Sequence, residues 1–372
     1  VRHLIEHFMS RGLSYLDLSV LHDNAQAKSL YSKLGFRTLS TFAIKRKNGI
    51  NQPLFLGPGP EVGLNPYARI LVEEAYKRGI DVQIDDAPAG LFTLSHGGRR
   101  IRCRESLSDL TSAISMSLCQ DKCLTHKVLH QAGLNVPSQQ LAGSADDNLD
   151  FLEQHSRVVV KPVDGEQGNG VAVDLDSLEK VQVAIEAARA FDSRVLLESF
   201  HEGLDLRIVV IGFEVVAAAI RRPAQVTGDG LHSVQRLIEA QSRRRQAATG
   251  GESRIALDAE TLRTVQAAGY EYDSILPAGQ VLAVRRTANL HTGGCLDDVT
   301  AVLHPVLADA AIRAARALDI PVVGLDLMVP AADQPEYVFI EANERAGLAN
   351  HEPHPTADRF IDLLFPHCQP AL

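Results

Sequence analysis

The sequence predicts a mixed α/β (α+β) protein with more than one domain. Short apolar runs rich in valine and isoleucine, such as 158–160 and 208–211, alternate with stretches like 178–190, where apolar residues recur at helical spacing. The 372 residues are enough for two or three domains. No internal repeat or low-complexity tract interrupts this alternation, so we expect ordinary globular packing.

Charge and composition exclude several classes of protein. The net charge of −9 and the pI of about 5.9 give no overall attraction to nucleic acid. No run reaches the roughly 18–20 apolar residues that a membrane-spanning helix needs. Five scattered cysteines fit reduced thiols. We therefore expect a cytoplasmic protein that acts on small molecules and binds neither membrane nor nucleic acid; whether it forms a homo-oligomer is left open.

Residues 1–50 are predicted to form helix, strand, helix and strand. Apolar residues in 4–9 have helical spacing, and 15–20 alternate as in a strand. A second amphipathic helix is predicted at 24–34, with Gly35 closing it. The first residue is not methionine, so we expect the chain to be part of a longer gene product.

Residues 51–120 are predicted to form a small α/β unit. A loop rich in glycine and proline is followed by a helix at 67–78, which Gly79 ends, and a strand at 80–84. We interpret this as one strand–helix–strand unit of an α/β sheet. The P-loop pattern G-x-x-x-x-G-K-[ST] does not occur in the chain, which argues against a P-loop NTPase.

A lysine at the end of an apolar run is the first residue with predicted chemistry. The strand at 158–160 leads directly to Lys161, and a loop with Gly165, Gly168 and Gly170 follows. Glycines let backbone amides approach phosphate oxygens closely, and a lysine beside them supplies positive charge. The alternative is a hairpin with a surface lysine, but the position favours a phosphate site.

Two acids follow the next strand. The run at 195–197 leads to Glu198, and Asp205 comes after a short linker. Backbone carbonyls at such a strand edge can accept hydrogen bonds from an adenine amine, and Asp205 is available to ribose hydroxyls. Taken alone these acids would be solvated loop residues, but their order after Lys161 favours a nucleotide site.

Three oxygen donors are predicted to meet near the end of the chain. Asp326 is predicted to end one strand, and Glu341 and Asn343 flank Ala342 on another, so these two share a face. Carboxylate and amide oxygens suit Mg²⁺ held together with nucleotide phosphates. Because a buried carboxylate cluster without a cation is costly, the alternative without a metal needs arginine partners.

Two further segments carry predicted functions. The stretch 284–294 contains Arg285, whose guanidinium would stabilise the charge of a transferring phosphoryl group if it lay beside one. The stretch 226–234 contains two glycines and is predicted to be a mobile loop that helps to exclude water.

Taken together, these blocks resemble the ATP-grasp superfamily, and within it the cyanophycin synthetase- and glutathione synthetase-like ligases. The resemblance implies an ATP-grasp domain at 121–372, with a small nucleotide-lid lobe at about 138–200, preceded by a pre-ATP-grasp α/β domain at 51–120. It implies ATP and Mg²⁺ as cofactors, with two ions expected and Mn²⁺ as an alternative. It also implies amino acid substrates, joined through an acyl phosphate.

The resemblance assigns a role to each polar position. Lys161 and Arg285 would be catalytic. The metal ligands would be Asp326, Glu341 and Asn343. The nucleotide would be bound by Lys122, Lys161, Gln167, Gly168, Gly170, Glu198, His201 and Asp205.

Residues 22–36, HDNAQAKSLYSKLGF, resemble the end of a GNAT acetyltransferase. Residues 1–50 would then be the C-terminal remnant of such a domain. Acetyl-CoA is expected only in an intact GNAT domain, because the family's pyrophosphate-binding loop, which ends at a helix N-terminus, has no counterpart in this sequence.

The pairing of a GNAT end with this kind of ligase narrows the expected product. It resembles a family of bacterial fusion enzymes that make a dipeptide compatible solute, which implies N-acetylglutamine and glutamine as substrates. Two alternatives remain open: a cyanophycin synthetase- or glutathione synthetase-like ligase with other amino acids, and an acetyltransferase with a non-catalytic ATP-binding domain.

Overall fold

A computed structural model gives the structure of the chain. It describes residues 2–10, 18, 20, 24–37, 63–165, 169–248, 251, 253–286, 288 and 290–368. Most of the strand predicted at 15–20, the extended stretch predicted after Phe36, and the candidates Gln167 and Gly168 lie outside these ranges. None of the helices in these ranges is both long and apolar enough to cross a membrane.

The helices in the described part of the chain are numbered in chain order. They are α1 (Arg2–Ser10), α2 (Ala25–Lys33), α3 (Pro66–Lys77), α4 (Ala113–Gln120), α5 (Lys122–Gln131), α6 (Ala145–His155), α7 (Leu178–Ala188), α8 (Val234–Ala248), α9 (Ala259–Ala267), α10 (Pro305–Ala317) and α11 (Thr356–Leu364).

The strands are numbered in the same way. They are β1 (Asp81–Asp86), β2 (Leu91–His96), β3 (Arg99–Arg104), β4 (Leu107–Ser108), β5 (Gln139–Leu141), β6 (Val158–Pro162), β7 (Ala172–Leu175), β8 (Val195–Ser199), β9 (Leu204–Ile211), β10 (Glu214–Arg222), β11 (Gln225–Thr227), β12 (Val281–Ala283), β13 (Cys295–Asp298), β14 (Val322–Val329) and β15 (Val338–Asn343).

Four antiparallel sheets organise these strands. Their orders are β1-β2-β3-β4, β5-β8-β6-β7, β13-β10-β9-β14-β15 and β11-β12. The helix and the following strand of the strand–helix–strand unit predicted for 51–120 are present as α3 and β1, and residues 51–62 lie outside the described ranges. The hairpin sheet that follows was not predicted. Consecutive strands are joined by tight turns, and Gly97 and Gly98 both have positive φ between β2 and β3. A two-residue turn of this kind makes a hairpin and leaves no room for a helical crossover.

The five-stranded sheet is the centre of the molecule because both of its faces are covered. On β9, Val209 and Ile211 face the core formed with α3, α11 and the first sheet. Ile208 and Val210 face the opposite core, which includes α10. This alternation follows from the two-residue period of a strand. The sheet β5-β8-β6-β7 packs with α6 and α7 around a separate apolar cluster.

The segment 226–234, for which the sequence predicts a mobile loop, is packed and hydrogen-bonded. Val226 and Val234 are buried in the apolar cluster that joins β11, β12 and α8. The Gly228 amide donates to the Gln280 carbonyl at 2.8 Å, and the Gly230 amide donates to the Leu276 carbonyl at 3.1 Å. Backbone pairing with 276–280 therefore fixes this segment.

Gly228→Ala is expected to destabilise the unit built on β11 and β12. A Cβ at this position would lie 2.6 Å from the Leu276 Cβ and 2.8 Å from the Leu276 carbonyl oxygen, so the backbone would have to shift. Overpacking of this kind costs about 1–3 kcal/mol. Urea unfolding measures the change, with exposed Thr227→Ala as the matched control. Equal unfolding midpoints for the two variants would contradict the expected clash.

Candidate active site

Lys161 forms a buried ion pair at the end of two neighbouring strands. It lies near the end of β6 and is 4% exposed. Its Nζ is 2.6 Å from Glu198 Oε2, near the end of β8, and Glu198 is 3% exposed. A buried charge is costly unless it is paired, so each side chain offsets part of the cost of burying the other. The surface-lysine alternative is wrong for Lys161.

Two further side chains complete the surroundings of Glu198. Gln139 Nε2, from β5, donates to Glu198 Oε1 at 2.6 Å and also contacts His126 Nδ1. His126, from α5, is 3% exposed, and its Nε2 lies 3.1 Å from the Ile340 carbonyl oxygen on β15. Burial, opposed in part by Glu198, lowers the pKa of His126 to about 4, so this imidazole is neutral at physiological pH.

Lys122 approaches the same region from the start of α5. The helix begins here because the side chain of Asp121 accepts a hydrogen bond from the Leu124 amide and caps it. Lys122 Nζ donates to the Gly165 carbonyl at 2.8 Å and lies 3.4 Å from Glu341 Oε1. Lys122 therefore connects the start of the glycine-bearing loop with Glu341 on β15.

An arginine and carboxylate network crosses three strands of the central sheet. Arg207 on β9 binds Asp326 on β14 with two guanidinium nitrogens, and the Nη2–Oδ2 distance is 3.0 Å. Arg221 on β10 lies 2.9 Å from Asp326 and 2.8 Å from Asp205. The strand register produces the network, because it places Arg207 opposite Asp326 and Arg221 opposite Asp205.

Asp326 lies inside β14, not at the end of a strand as predicted. The strand continues through Val329 because residues 327–329 remain apolar and pair with β9. Asp326 is 2% exposed. Burial opposes its ionisation, but the guanidinium groups of Arg207 and Arg221 outweigh burial and hold its pKa below the usual range.

The acids on β14 and β15 offer a partial fit to a divalent cation. Glu341 and Asn343 share one face of β15, and Asn343 turns its Nδ2 toward Asp326 at 3.3 Å. In the described ranges no group of three His, Cys, Asp or Glu side chains could hold a metal by itself. A cation here would therefore rely on the Asn343 oxygen and on phosphate oxygens as well, which is how Mg²⁺ commonly binds. The arginines that the metal-free alternative requires are also present.

The charges of the whole site balance without a bound cation. Four carboxylates and four cationic groups are linked by the ion pairs described above: Glu198, Asp205, Asp326 and Glu341, with Lys122, Lys161, Arg207 and Arg221.

Arg285 is placed differently from the prediction. Its side chain is 6% exposed, and its guanidinium binds Asp258 at 2.9 Å and Glu260, at the start of α9. These carboxylates and the Thr261 hydroxyl, 3.1 Å away, engage both terminal nitrogens. The catalytic role of Arg285 stays a prediction that these contacts do not support.

Three other residues that were predicted to bind the nucleotide lie in the described ranges: His201, Gly170 and Asp205. His201 follows β8, and its Nε2 lies 3.0 Å from the Ser199 hydroxyl. Gly170 has φ +70°, and a Cβ there would lie 2.7 Å from the Phe191 ring. Asp205 contacts Arg221 and so belongs to the network around Asp326.

Sequence reasoning missed several residues that the fold brings to the site. Arg207 interrupts an apolar strand, and a lone charge in such a run was a usable signal. For Arg221 the sequence offered a weaker signal, its position near the end of an apolar strand. For His126 and Gln139 the sequence offered no signal of a role in the site. His351 is buried, and burial together with Arg207 lowers its pKa to about 4.

Comparisons with known proteins agree with this fold. Residues 119–271 match the model of the RimK-like ATP-grasp domain. Over 325 residues the chain is 31% identical to a cyanophycin synthetase from Nostoc sp.. This match spans 83% of this chain and 36% of the length of that synthetase. It is 28% identical to the glutathione biosynthesis bifunctional protein GshAB from Listeria innocua, over 80% of this chain and 41% of that protein.

A solved structure shows the same architecture. The bifunctional glutathione synthetase from Pasteurella multocida matches with a TM-score of 0.61 and 26% identity, covering 82% of this chain and 43% of that chain. The prediction of a mixed α/β ATP-grasp fold is therefore confirmed. The chain spans less than half the length of each of these relatives.

Proposed function

We propose that this chain, which contains a RimK-like ATP-grasp domain, is an ADP-forming carboxylate–amine ligase. One observation carries the proposal. Contacts join Lys161 from the lobe at 139–199 and Lys122 from α5 to strand β15, which carries Glu341 and Asn343. Asn343 in turn contacts Asp326 on β14. Such a set provides cationic groups for phosphates on one side and oxygen donors on the other.

The mechanism follows from these groups. Lys122 and Lys161 bind phosphate oxygens of ATP, and a substrate carboxylate attacks the γ-phosphorus to give an acyl phosphate and ADP. The amine of the second substrate then attacks the acyl carbon, and phosphate leaves. Mg²⁺ held by Asp326, Glu341 and Asn343 would offset charge on the phosphates. Arg207 and Arg221 are the guanidinium groups nearest to these acids and take the place predicted for Arg285.

We further propose N-acetylglutamine and glutamine as the substrates, which would make the chain part of an N-acetylglutaminylglutamine synthetase. The support is the GNAT-like segment 22–36, of which α2 forms the helix, capped by Asn24. No contact in the described residues selects these amino acids over others, so the proposal for the substrates rests on sequence resemblance.

A substrate panel tests the ligase and its substrates separately. The protein is mixed with ATP, Mg²⁺ and pairs of amino acids, and ADP and dipeptide are measured. We expect ADP release that depends on both amino acids and is greatest with N-acetylglutamine and glutamine. Greater turnover with aspartate, arginine or glycine would support the ligase function but contradict N-acetylglutamine and glutamine as the substrates. No amino-acid-dependent ADP release with any pair would overturn the ligase, and a CoA-binding assay would then test the acetyltransferase alternative.

A further inference from the structure

The strand that carries Glu341 contains a β-bulge directly beside the candidate metal ligands. Asp326 pairs with Glu341, but the next residue, Leu327, pairs with Phe339, so Ile340 is the extra, unpaired residue of β15. A bulge redirects the neighbouring side chains and needs its unpaired backbone groups satisfied. Among the strands of the described residues β15 is an edge strand, so none of them pairs with its outer side.

His126 provides a hydrogen bond for the backbone carbonyl of the bulge residue, Ile340. Its ring Nε2 lies 3.1 Å from the Ile340 carbonyl oxygen, and a carbonyl can only accept, so Nε2 carries the proton and donates. Nδ1 is then the acceptor nitrogen. It faces Gln139 Nε2, which is an amide donor.

The orientation of Gln139 is fixed by the same logic. The atom that faces Glu198 Oε1 at 2.6 Å must be the amide nitrogen, because a carboxylate of an ion-paired glutamate only accepts. The two hydrogens of that nitrogen then serve Glu198 and His126. The contacts thus admit one consistent proton arrangement, with a neutral imidazole protonated on Nε2.

We propose that His126 is a positioning residue that ties Lys161, through Gln139 and Glu198, to the β-bulge at Ile340. The chain of bonds connects the lobe at 139–199 with the strand that carries Glu341 and Asn343. It sets the distance between the lysine that binds phosphate and the acids that hold the cation. Small errors in such a distance are costly, since a misplacement of about 1 Å can reduce rates about 100-fold.

The proposal rests on the proposed use of ATP but not on the amino acid substrates. Its test is therefore the equilibrium dissociation constant of Mg²⁺ and a non-hydrolysable ATP analogue, measured by calorimetry without amino acids. His126→Leu removes both ring nitrogens and is expected to weaken binding about tenfold, in line with the loss of two hydrogen bonds. His130→Asn, on the exposed side of α5, is the matched control and should bind as the unsubstituted protein does.

Two conservative variants separate positioning from general packing. In His126→Asn the amide oxygen takes the place of Nδ1, so the bond to Gln139 is kept and the bond to the bulge is lost. In His126→Gln the amide nitrogen takes the place of Nε2, and the bond to the bulge is kept. Each is expected to recover part of the affinity. His126→Leu and Gln139→Leu combined should weaken binding little more than either alone, because both break the same chain.

The outcomes are distinct. Unchanged affinity in folded His126→Leu, or full additivity with Gln139→Leu, overturns the positioning role. If His126→Leu fails to fold, Gln139→Leu, whose side chain is only half-buried, gives the answer, and unchanged affinity again overturns the role. If these variants bind the ATP analogue more weakly but the substrate panel gives no ADP release, the result supports the positioning role of His126 and contradicts the ligase function.

Discussion

Lys161→Met is expected to lower ADP release by about 100- to 1,000-fold, because the proposed mechanism uses Lys161 as a pre-positioned cation at the transferring phosphoryl group. The size of the effect follows from burial. Lys161 is 4% exposed and its Nζ lies 2.6 Å from Glu198, so no water or mobile side chain can replace it. The measurement is the steady-state rate of ADP release at saturating amino acids.

The same substitution leaves Glu198 buried without its partner. Breaking a buried pair costs about 3–5 kcal/mol, so lost activity could reflect unfolding alone. Lys161→Met combined with Glu198→Gln removes both charges and is expected to regain thermal stability without regaining activity. Lys180→Met, on α7 at an exposed ion pair with Asp176, is the control with unchanged rate. Normal turnover in the stable double variant would show that Lys161 has only a structural role.

Asp326→Asn is expected to lower turnover by about 100- to 1,000-fold and to raise the Mg²⁺ concentration needed for half-maximal rate. The substitution keeps the size of the side chain but removes the charge that both Arg207 and Arg221 contact. A Mg²⁺ titration of ADP release measures both effects. Asp297→Asn, on β13 at an exposed ion pair with Arg222 of β10, should change neither.

A second variant separates a metal ligand from a purely structural carboxylate. Glu341 has a 31% exposed side chain, and in Glu341→Gln its buried partner Lys122 keeps its hydrogen bond to the Gly165 carbonyl. It is expected to raise the Mg²⁺ requirement as Asp326→Asn does, with little loss of stability. A normal Mg²⁺ titration in both folded variants would favour the alternative in which Arg207 and Arg221 neutralise the acids and no metal is needed.

The sequence was sufficient to predict most of the elements that carry the site. The helix at 24–34, the helix at 67–78 and the strand that delivers Lys161 all formed within two residues of their predicted bounds. These elements are encoded locally, by hydrophobic period and by caps such as Asn24 and Asn65. The hairpin pairing of 81–108 was not predicted, although the Gly97–Gly98 turn between β2 and β3 is a local hairpin signal.

The sequence by itself determined which chemical groups stand at which points of the chain. Lys161, Glu198 and the pair Glu341 and Asn343 were identified because each follows an apolar run that a strand must bury. Strand periodicity assigns a side chain to a face, so it could predict that Glu341 and Asn343 lie together. It contains no information about what lies opposite that face.

Tertiary structure alone decided the partners. Arg207 and Asp326 are 119 residues apart, and only the register of β9 and β14 brings them together. Tertiary structure also decides that Arg285 pairs with Asp258, at the start of α9. It likewise decides that His126 contacts the β-bulge at Ile340, which no local sequence pattern predicts. Registers and bulges are fixed by the sum of many long-range contacts, so the charges that neutralise one another become known only when the strands are paired.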